Sequence, residues 1–219
     1  MEFIYGLSNL RKKRKDCVAT IGNFDGVHLG HQTILKQLRD ASKNNNLIST
    51  VLLFEPQPME YFRIDVAPSR LASLREKVHQ FIRFNIERVV CLKFDDKLAN
   101  LSASEFVDDI LLDGLSAKKI IVGDDFHFAK NREGNYQYLS ELSKERGFET
   151  FRTNTYEEDG VRISSTLIRN LLAKGDIEAA NRYLGRYFII SGRVIHGDNR
   201  GKKLGFPTVN IKLDRYLAV

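Results

Sequence analysis

Two cysteines in 219 residues are too few for a disulfide framework. Cys17 stands just before one apolar run and Cys91 falls inside another, so both read as buried thiols of a reducing compartment. No apolar stretch approaches the ~20 residues that span a bilayer. The opening Met1-Glu2-Phe3-Ile4-Tyr5 lacks the basic-then-apolar order of a secretory signal. No internal repeat and no low-complexity segment interrupts the chain. These absences exclude a disulfide scaffold and a membrane-spanning helix, and they make the cytoplasm the expected location.

What is present is a globular composition, 42% hydrophobic and 28% charged, with room for one α/β domain and part of a second. The formal charge of +6 is spread along the chain, apart from Arg11-Lys12-Lys13-Arg14-Lys15. Such a run suits a nucleic-acid or anionic-membrane contact. No aromatic-basic platform accompanies it, and its plainer reading is a solvated loop before the first core strand. A basic balance also suits an enzyme whose substrates are phosphates. Small molecules are therefore the expected partners, with neither nucleic acid nor membrane among them.

Apolar, often β-branched runs recur at 18–24, 49–54, 88–94 and 118–122, with a weaker one at 149–156. Helical patterns at 32–43, 70–84, 103–112 and 136–145 lie between them, and Ser102 followed by Glu105 forms a capping box for the third. This alternation predicts right-handed βαβ units and a parallel sheet covered on both faces. Ligands then sit beyond the carboxyl ends of the strands. The loops 22–31, 54–58 and 123–135 all follow predicted strands and converge on that edge. Two further helices, 165–174 and 177–184, precede a change of character near Gly185. Beyond it lie a β-like stretch at 187–195, a glycine-rich basic loop at 197–205 and a final β-like stretch at 206–211. A boundary near 185 divides the chain into units 1–185 and 186–219. The second is too short to close a barrel alone, since domains usually need at least ~50 residues.

The chemistry concentrates in Gly22-Asn23-Phe24-Asp25-Gly26-Val27-His28-Leu29-Gly30-His31. This segment joins a strand to an amphipathic helix carrying Ile34, Leu35, Leu38 and Ala41. Two imidazoles three residues apart share one face at the helix start. Helix-start amides and two nitrogen donors together can hold a triphosphate. Gly26 and Gly30 leave room for close approach. Capping or core histidines are the alternative, whereas a zinc site lacks a third ligand. A second cluster, Arg162-Ile163-Ser164-Ser165-Thr166-Leu167-Ile168-Arg169, offers hydroxyls and an arginine fork to phosphate, or simply caps its own helix. In a third, Val122 to Gly134, Phe126 and Phe128 are either core anchors or the walls of a planar-ligand site, with Lys130 or Arg132 near its phosphate. Phe54-Glu55-Pro56-Gln57-Pro58 supplies another wall of stiff geometry.

Together these segments resemble the bacterial bifunctional riboflavin kinase/FMN adenylyltransferase family, the FAD synthetases. GNFDGVHLGH, LFEPQP, RLASLREK, VGDDFHF, RISSTLIR and HGDNRGKKLGFPTVNI carry the resemblance, in that order, from about Val18 to Ile211. It implies a Rossmann-like adenylyltransferase domain over 1–185, followed by the start of a small β-barrel, riboflavin kinase-like domain at 186–219. It implies the reaction ATP + FMN → FAD + pyrophosphate, with Mg²⁺. By the same resemblance Gly22, Asn23, Phe24, Gly26, His28 and His31 hold ATP. Ser164, Ser165, Thr166 and Arg169 close over its phosphates, with His28, His31 and Arg169 catalytic. Pro56, Asp125, Phe126 and Phe128 lie at the FMN site. Thr208 and Asn210 match the Pro-Thr-Ala-Asn segment that contacts Mg²⁺ and nucleotide phosphate in the kinase part, with Val209 in its third place. Three further departures are Gln57 for a common histidine, and His127 and Ala129 for arginine and glycine. A titratable group replacing a permanent cation could make a phosphate contact pH-sensitive. The family's later strands and kinase base have no counterpart here, so riboflavin phosphorylation is not expected of this chain. Transfer to another phosphorylated acceptor, and binding of both ligands without turnover, stay open as alternatives.

Overall fold

The computed structural model describes residues 1–198, 200–206 and 208–213. Its centre is a six-stranded, all-parallel sheet. Strands β1 (Glu2–Tyr5), β2 (Cys17–Ile21), β3 (Ile48–Glu55), β4 (Arg88–Lys93), β5 (Ala117–Gly123) and β6 (Glu149–Thr153) are arranged β1-β4-β3-β2-β5-β6. The apolar runs of the sequence account for all but β1. That edge strand has only four residues and buries only Ile4, too short a pattern to declare itself.

Because successive strand residues face opposite sides, each apolar run feeds two cores. Cys17, Ala19 and Ile21 join Leu52, Ile120 and Val122 on one face, packed against Phe106, Ile110 and Leu139. Val18 joins Val51, Leu53 and Ile121 on the other, against Leu35, Leu38 and Phe81. Cys17 and Cys91 are wholly buried, and burial is the main cause that pushes their thiols up to about 12 and about 11. They are core side chains, not nucleophiles.

Helices α1 (Leu29–Asn45), α2 (Pro58–Phe62), α3 (Leu74–Arg83), α4 (Tyr136–Arg146), α5 (Ser165–Ala173) and α6 (Ile177–Leu184) surround the sheet. The periodicity expects α3 from residue 70, but it begins at Leu74. Ser73 caps it, receiving Glu76 N at 3.3 Å while the Glu76 carboxylate accepts from Ser73 N at 2.6 Å. Residues 70–72 are drawn instead toward the site described below. The Ser102/Glu105 capping box forms as expected, but only Ala103–Glu105 is α-helical. Phe106–Leu112 widens into a π-helix, a form often found at functional sites.

The chain winds outward from β2 twice, first through β3 to β4, then back across to β5 and β6. Its direction reverses between β2 and β5, and a crevice opens beyond their carboxyl ends. Past Gly185, residues 187–192 run without regular structure. Short antiparallel strands β7 (Arg193–Ile195) and β8 (Asn210–Lys212) follow. Asn199 and Pro207 of the basic loop and last motif, and residues 214–219, lie outside the described residues. Tyr187, Val194 and Phe206 are strongly exposed. Among the described residues no helix is long and apolar enough to cross a membrane. The run at 11–15 is exposed: Arg11 ends the five-residue helix Leu7–Arg11 and 12–15 form the loop to β2, with Arg11 and Arg14 on Asp113 and Lys13 on Glu2.

Candidate active site

At the end of β2 the backbone turns sharply. Phe24, Gly26 and Val27 all have positive φ, at 47°, 78° and 44°. For a β-branched residue such as Val27 this is a costly conformation, sustained only when the surroundings over-determine it. They do so here. The ring of Phe24 is buried, 5.0 Å from His31 and edge-on to Phe81 at 5.7 Å. The buried carboxylate of Asp25 accepts from Leu71 N at 3.0 Å, Ala72 N at 3.1 Å and Arg169 Nη2 at 2.6 Å. Ser165 Oγ donates to Asp25 O at 2.9 Å. A Cβ on Gly26 would meet Leu71 at 2.9 Å, so this glycine serves tight packing.

The turn delivers His28 to the N-cap of α1, where its Nδ1 accepts from His31 N at 3.4 Å. The two rings stack, centroids 3.7 Å apart. Burial is the main cause that lowers the pKa of His28 to about 4, against the pull of Asp25 and Asp125. Burial also holds His31 well below its ordinary value, helped by His28 and Lys77. Both are therefore neutral donors at pH 7 rather than cations. Nδ1 of His31 is buried with no hydrogen-bond partner, a condition that asks for a ligand or water. A Cβ on Gly30 would come 3.2 Å from the His28 ring and 3.5 Å from Ile163 O, closing this space.

Two cavities meet here. The polar one, about 280 Å³, is lined by His28, Gly30, Thr155, Arg162 and the hydroxyl cluster Ser164, Ser165 and Thr166. The larger, about 470 Å³, is walled by Phe54, Phe62, Phe94, Phe106, Phe126 and Phe128, with His127 and Arg132 also lining it. His31, Ile34, Gly123 and Asp125 line both, so the cavities share a wall. Arg162 is ion-paired to Asp125, and the Thr155 hydroxyl donates a hydrogen bond to the Asp124 carboxylate, which ties the two loops across the polar cavity.

The sequence-predicted residues do not all fall where expected. Gly22, Asn23 and Phe24 line the aromatic cavity rather than the polar one. Gly26 lines neither. Arg169 does not open its fork into a cavity: Nε donates to Ser69 O at 2.6 Å and Nη2 binds Asp25. Pro56 lies outside both linings. Gln57 instead N-caps α2, with Glu60 accepting from Gln57 N at 2.8 Å, and the helix carries Pro58, Met59 and Phe62 to the cavity. Arg70 holds this helix by forking onto Glu55 at 2.8 and 2.7 Å and by pairing with Glu60. Thr208 and Asn210 are exposed and line neither cavity. Sequence reasoning missed Phe62, Phe94 and Phe106, which come from the end of α2, the loop after β4 and the π-helix, with no motif to join them.

The sequence matches a FAD synthetase family model over residues 10–167 and a riboflavin kinase model over 184–218. A bifunctional riboflavin kinase/FMN adenylyltransferase of Pseudomonas fluorescens is 47% identical over 98% of this chain and 69% of its own length. Its namesake in Escherichia coli (strain K12) is 45% identical over 100% of this chain and 70% of its own. Among solved structures, a Streptococcus pneumoniae chain titled a macrolide-efflux protein superposes with a TM-score of 0.80 at 26% identity, covering 98% of this chain and 70% of that one. Pantoate-beta-alanine ligase from Francisella tularensis reaches 0.50 at 16% identity over 84% of this chain and 78% of its own, a likeness of fold alone. With its histidine turn, its hydroxyl cluster and most of its length inside the first match, this chain belongs to the FAD synthetase family.

Proposed function

We propose that this chain makes FAD from FMN and ATP, with residues 1–185 as the adenylyltransferase unit. One observation carries the reading. A polar cavity rich in phosphate-binding groups and an aromatic cavity sized for a planar ring meet at His31 and Asp125. The nucleotide phosphates lie in the first, on the α1 start, on His28 and His31, and on the Thr166 hydroxyl, while Ser164 caps α5 and Ser165 ties that helix to Asp25 O. The flavin ring lies in the second, against Phe126 and Phe128.

A phosphate oxygen of FMN attacks the α-phosphorus of ATP. The new P–O bond forms as the bond to the β,γ-phosphates breaks, and pyrophosphate leaves with those electrons. The nucleophile's second pKa is roughly 6, so it is already ionised at pH 7 and no general base is needed. Orientation and hydrogen bonding then supply the catalysis. Neutral imidazoles suit this role, since they donate to phosphate oxygens without needing a counter-charge when the site is empty. Mg²⁺ enters as part of the nucleotide substrate and offsets the charge of the departing pyrophosphate. Arg169 acts through Asp25, fixing the hydroxyl cluster against the histidine turn.

Residues 186–219 we assign as the opening part of a riboflavin kinase-like unit, with Thr208 and Asn210 its Mg²⁺–nucleotide residues. Both are exposed and line neither of the two cavities, and we propose that these 219 residues do not phosphorylate riboflavin. Chromatography of flavins after incubation with Mg–ATP tests the whole reading. FAD is expected from FMN, with riboflavin unchanged in a parallel reaction. Binding of both ligands without FAD would overturn the catalytic assignment, and preference for a non-flavin phosphate would reassign the acceptor.

A further inference from the structure

The carbonyl oxygens of the strained turn are not left to solvent. After Asp25 O, which receives Ser165 Oγ, the next two are claimed by one side chain. Arg186 Nη2 donates to Gly26 O at 2.6 Å and Nη1 to Val27 O at 3.3 Å and Leu184 O at 3.1 Å. Gln32 Nε2 bridges the same two places, Val27 O at 3.0 Å and Leu184 O at 2.8 Å. A guanidinium is a rigid planar fork, so two neighbouring carbonyls held by it cannot rotate independently. Those carbonyls belong to the peptide units immediately before His28.

The segment that carries Arg186 is itself fastened to the first unit. Phe188 N donates to Asn181 Oδ1 at 2.6 Å, and its ring packs with Leu71, Ile168, Ala180 and Leu184. Ser191 N and Oγ both donate to Glu76 Oε1, at 3.0 and 2.6 Å. By sequence, Arg186 falls inside the stretch that matches the riboflavin kinase model; by hydrogen bonding it belongs to the histidine turn.

We infer that Arg186 is a positioning residue of the adenylyltransferase centre, holding Gly26 and Val27 in the turn that aims His28 at the nucleotide phosphates. The transferase centre thus extends past residue 185 and takes a structural part from the segment that follows. The charge of Arg186 also faces the buried His28 and favours its neutral form. This inference rests on the adenylyltransferase reading for its kinetic consequence, but not for its geometric one.

The test uses Arg186→Gln and Arg186→Lys in the full chain, with Arg193→Gln on exposed β7 as a control. Arg186→Gln should lower kcat for FAD formation about 10-fold with little change in the KM for FMN, because a displaced group costs rate more than binding. Arg186→Lys keeps the cation but loses the fork, and should recover part of kcat. It also serves if the glutamine variant folds poorly. In the ligand-free chain, NMR signals of the His28 imidazole should move in both variants and stay in place in Arg193→Gln. Unmoved signals with wild-type kcat would overturn the inference. Moved signals in a chain that makes no FAD even as wild type would sustain the positioning role and sink the adenylyltransferase reading instead.

Discussion

A neutral imidazole donates one hydrogen bond and brings no charge with it, which sets what His28 and His31 contribute. Their spacing was visible in the sequence; their stacking, burial and neutrality were not, since these depend on how the turn folds Phe24 onto His31 and on Phe81 and Lys77 arriving from elsewhere in the chain. His28→Ala or His31→Ala should each cost about 10²-fold or more in kcat, by analogy with loss of one preorganised donor to a developing oxyanion. Steady-state FAD formation measures this, and near-normal rates in both would remove the pair from the mechanism. Arg169 shows the reverse case. Its place one turn beyond the hydroxyls suggested a free fork, but Asp25, distant in sequence, captures it.

Among the elements, helix α5 answers a question that its sequence left open, whether its hydroxyls cap or bind. Ser164 Oγ accepts from Leu167 N at 3.2 Å, so it caps. Ser165 Oγ goes to Asp25 O, while Thr166 is exposed and lines the polar cavity. Ser164→Ala should therefore destabilise the fold by about 1 kcal/mol, the ordinary worth of an N-cap. Thr166→Ala should raise the KM for ATP and leave the melting curve unchanged. Thermal unfolding beside ATP titrations distinguishes the two, and equal effects of both substitutions on stability would contradict this division. The π-helix at Phe106–Leu112 was not legible, because apolar spacing alone does not distinguish a wide turn from an ordinary one.

For the whole molecule, the buried histidines tie stability to pH. Unfolded histidine titrates near 6.5, whereas His28 in the fold does so at about 4. Between those values the unfolded chain holds a proton that the folded chain lacks, so stability falls as pH drops, by up to about 1.4 kcal/mol per pH unit for each such histidine. His31, also held well below its ordinary value by burial, adds to the same loss. Glu60 adds to the loss at more acid pH. Burial alone would raise its pKa, but Arg70 and Gln57 N–H outweigh that and hold it below the ordinary value. Urea unfolding at pH 7.5 and 5 should show a weaker wild type at pH 5 and a smaller difference in a His28→Asn/His31→Asn variant. Equal wild-type stability at both values would mean that the histidines are not buried neutral. The sequence by itself determined the α/β alternation, the loop edge that carries the chemistry and the family, because periodicity and contiguous motifs are local properties. Only the tertiary structure decided that the parallel sheet reverses direction beside β2, that rings from scattered elements enclose one cavity, and that Arg169 and Arg186 brace the histidine turn. Those facts join residues far apart along the chain, and nothing in local spacing encodes which distant partner a buried charge or an unpaired carbonyl will find.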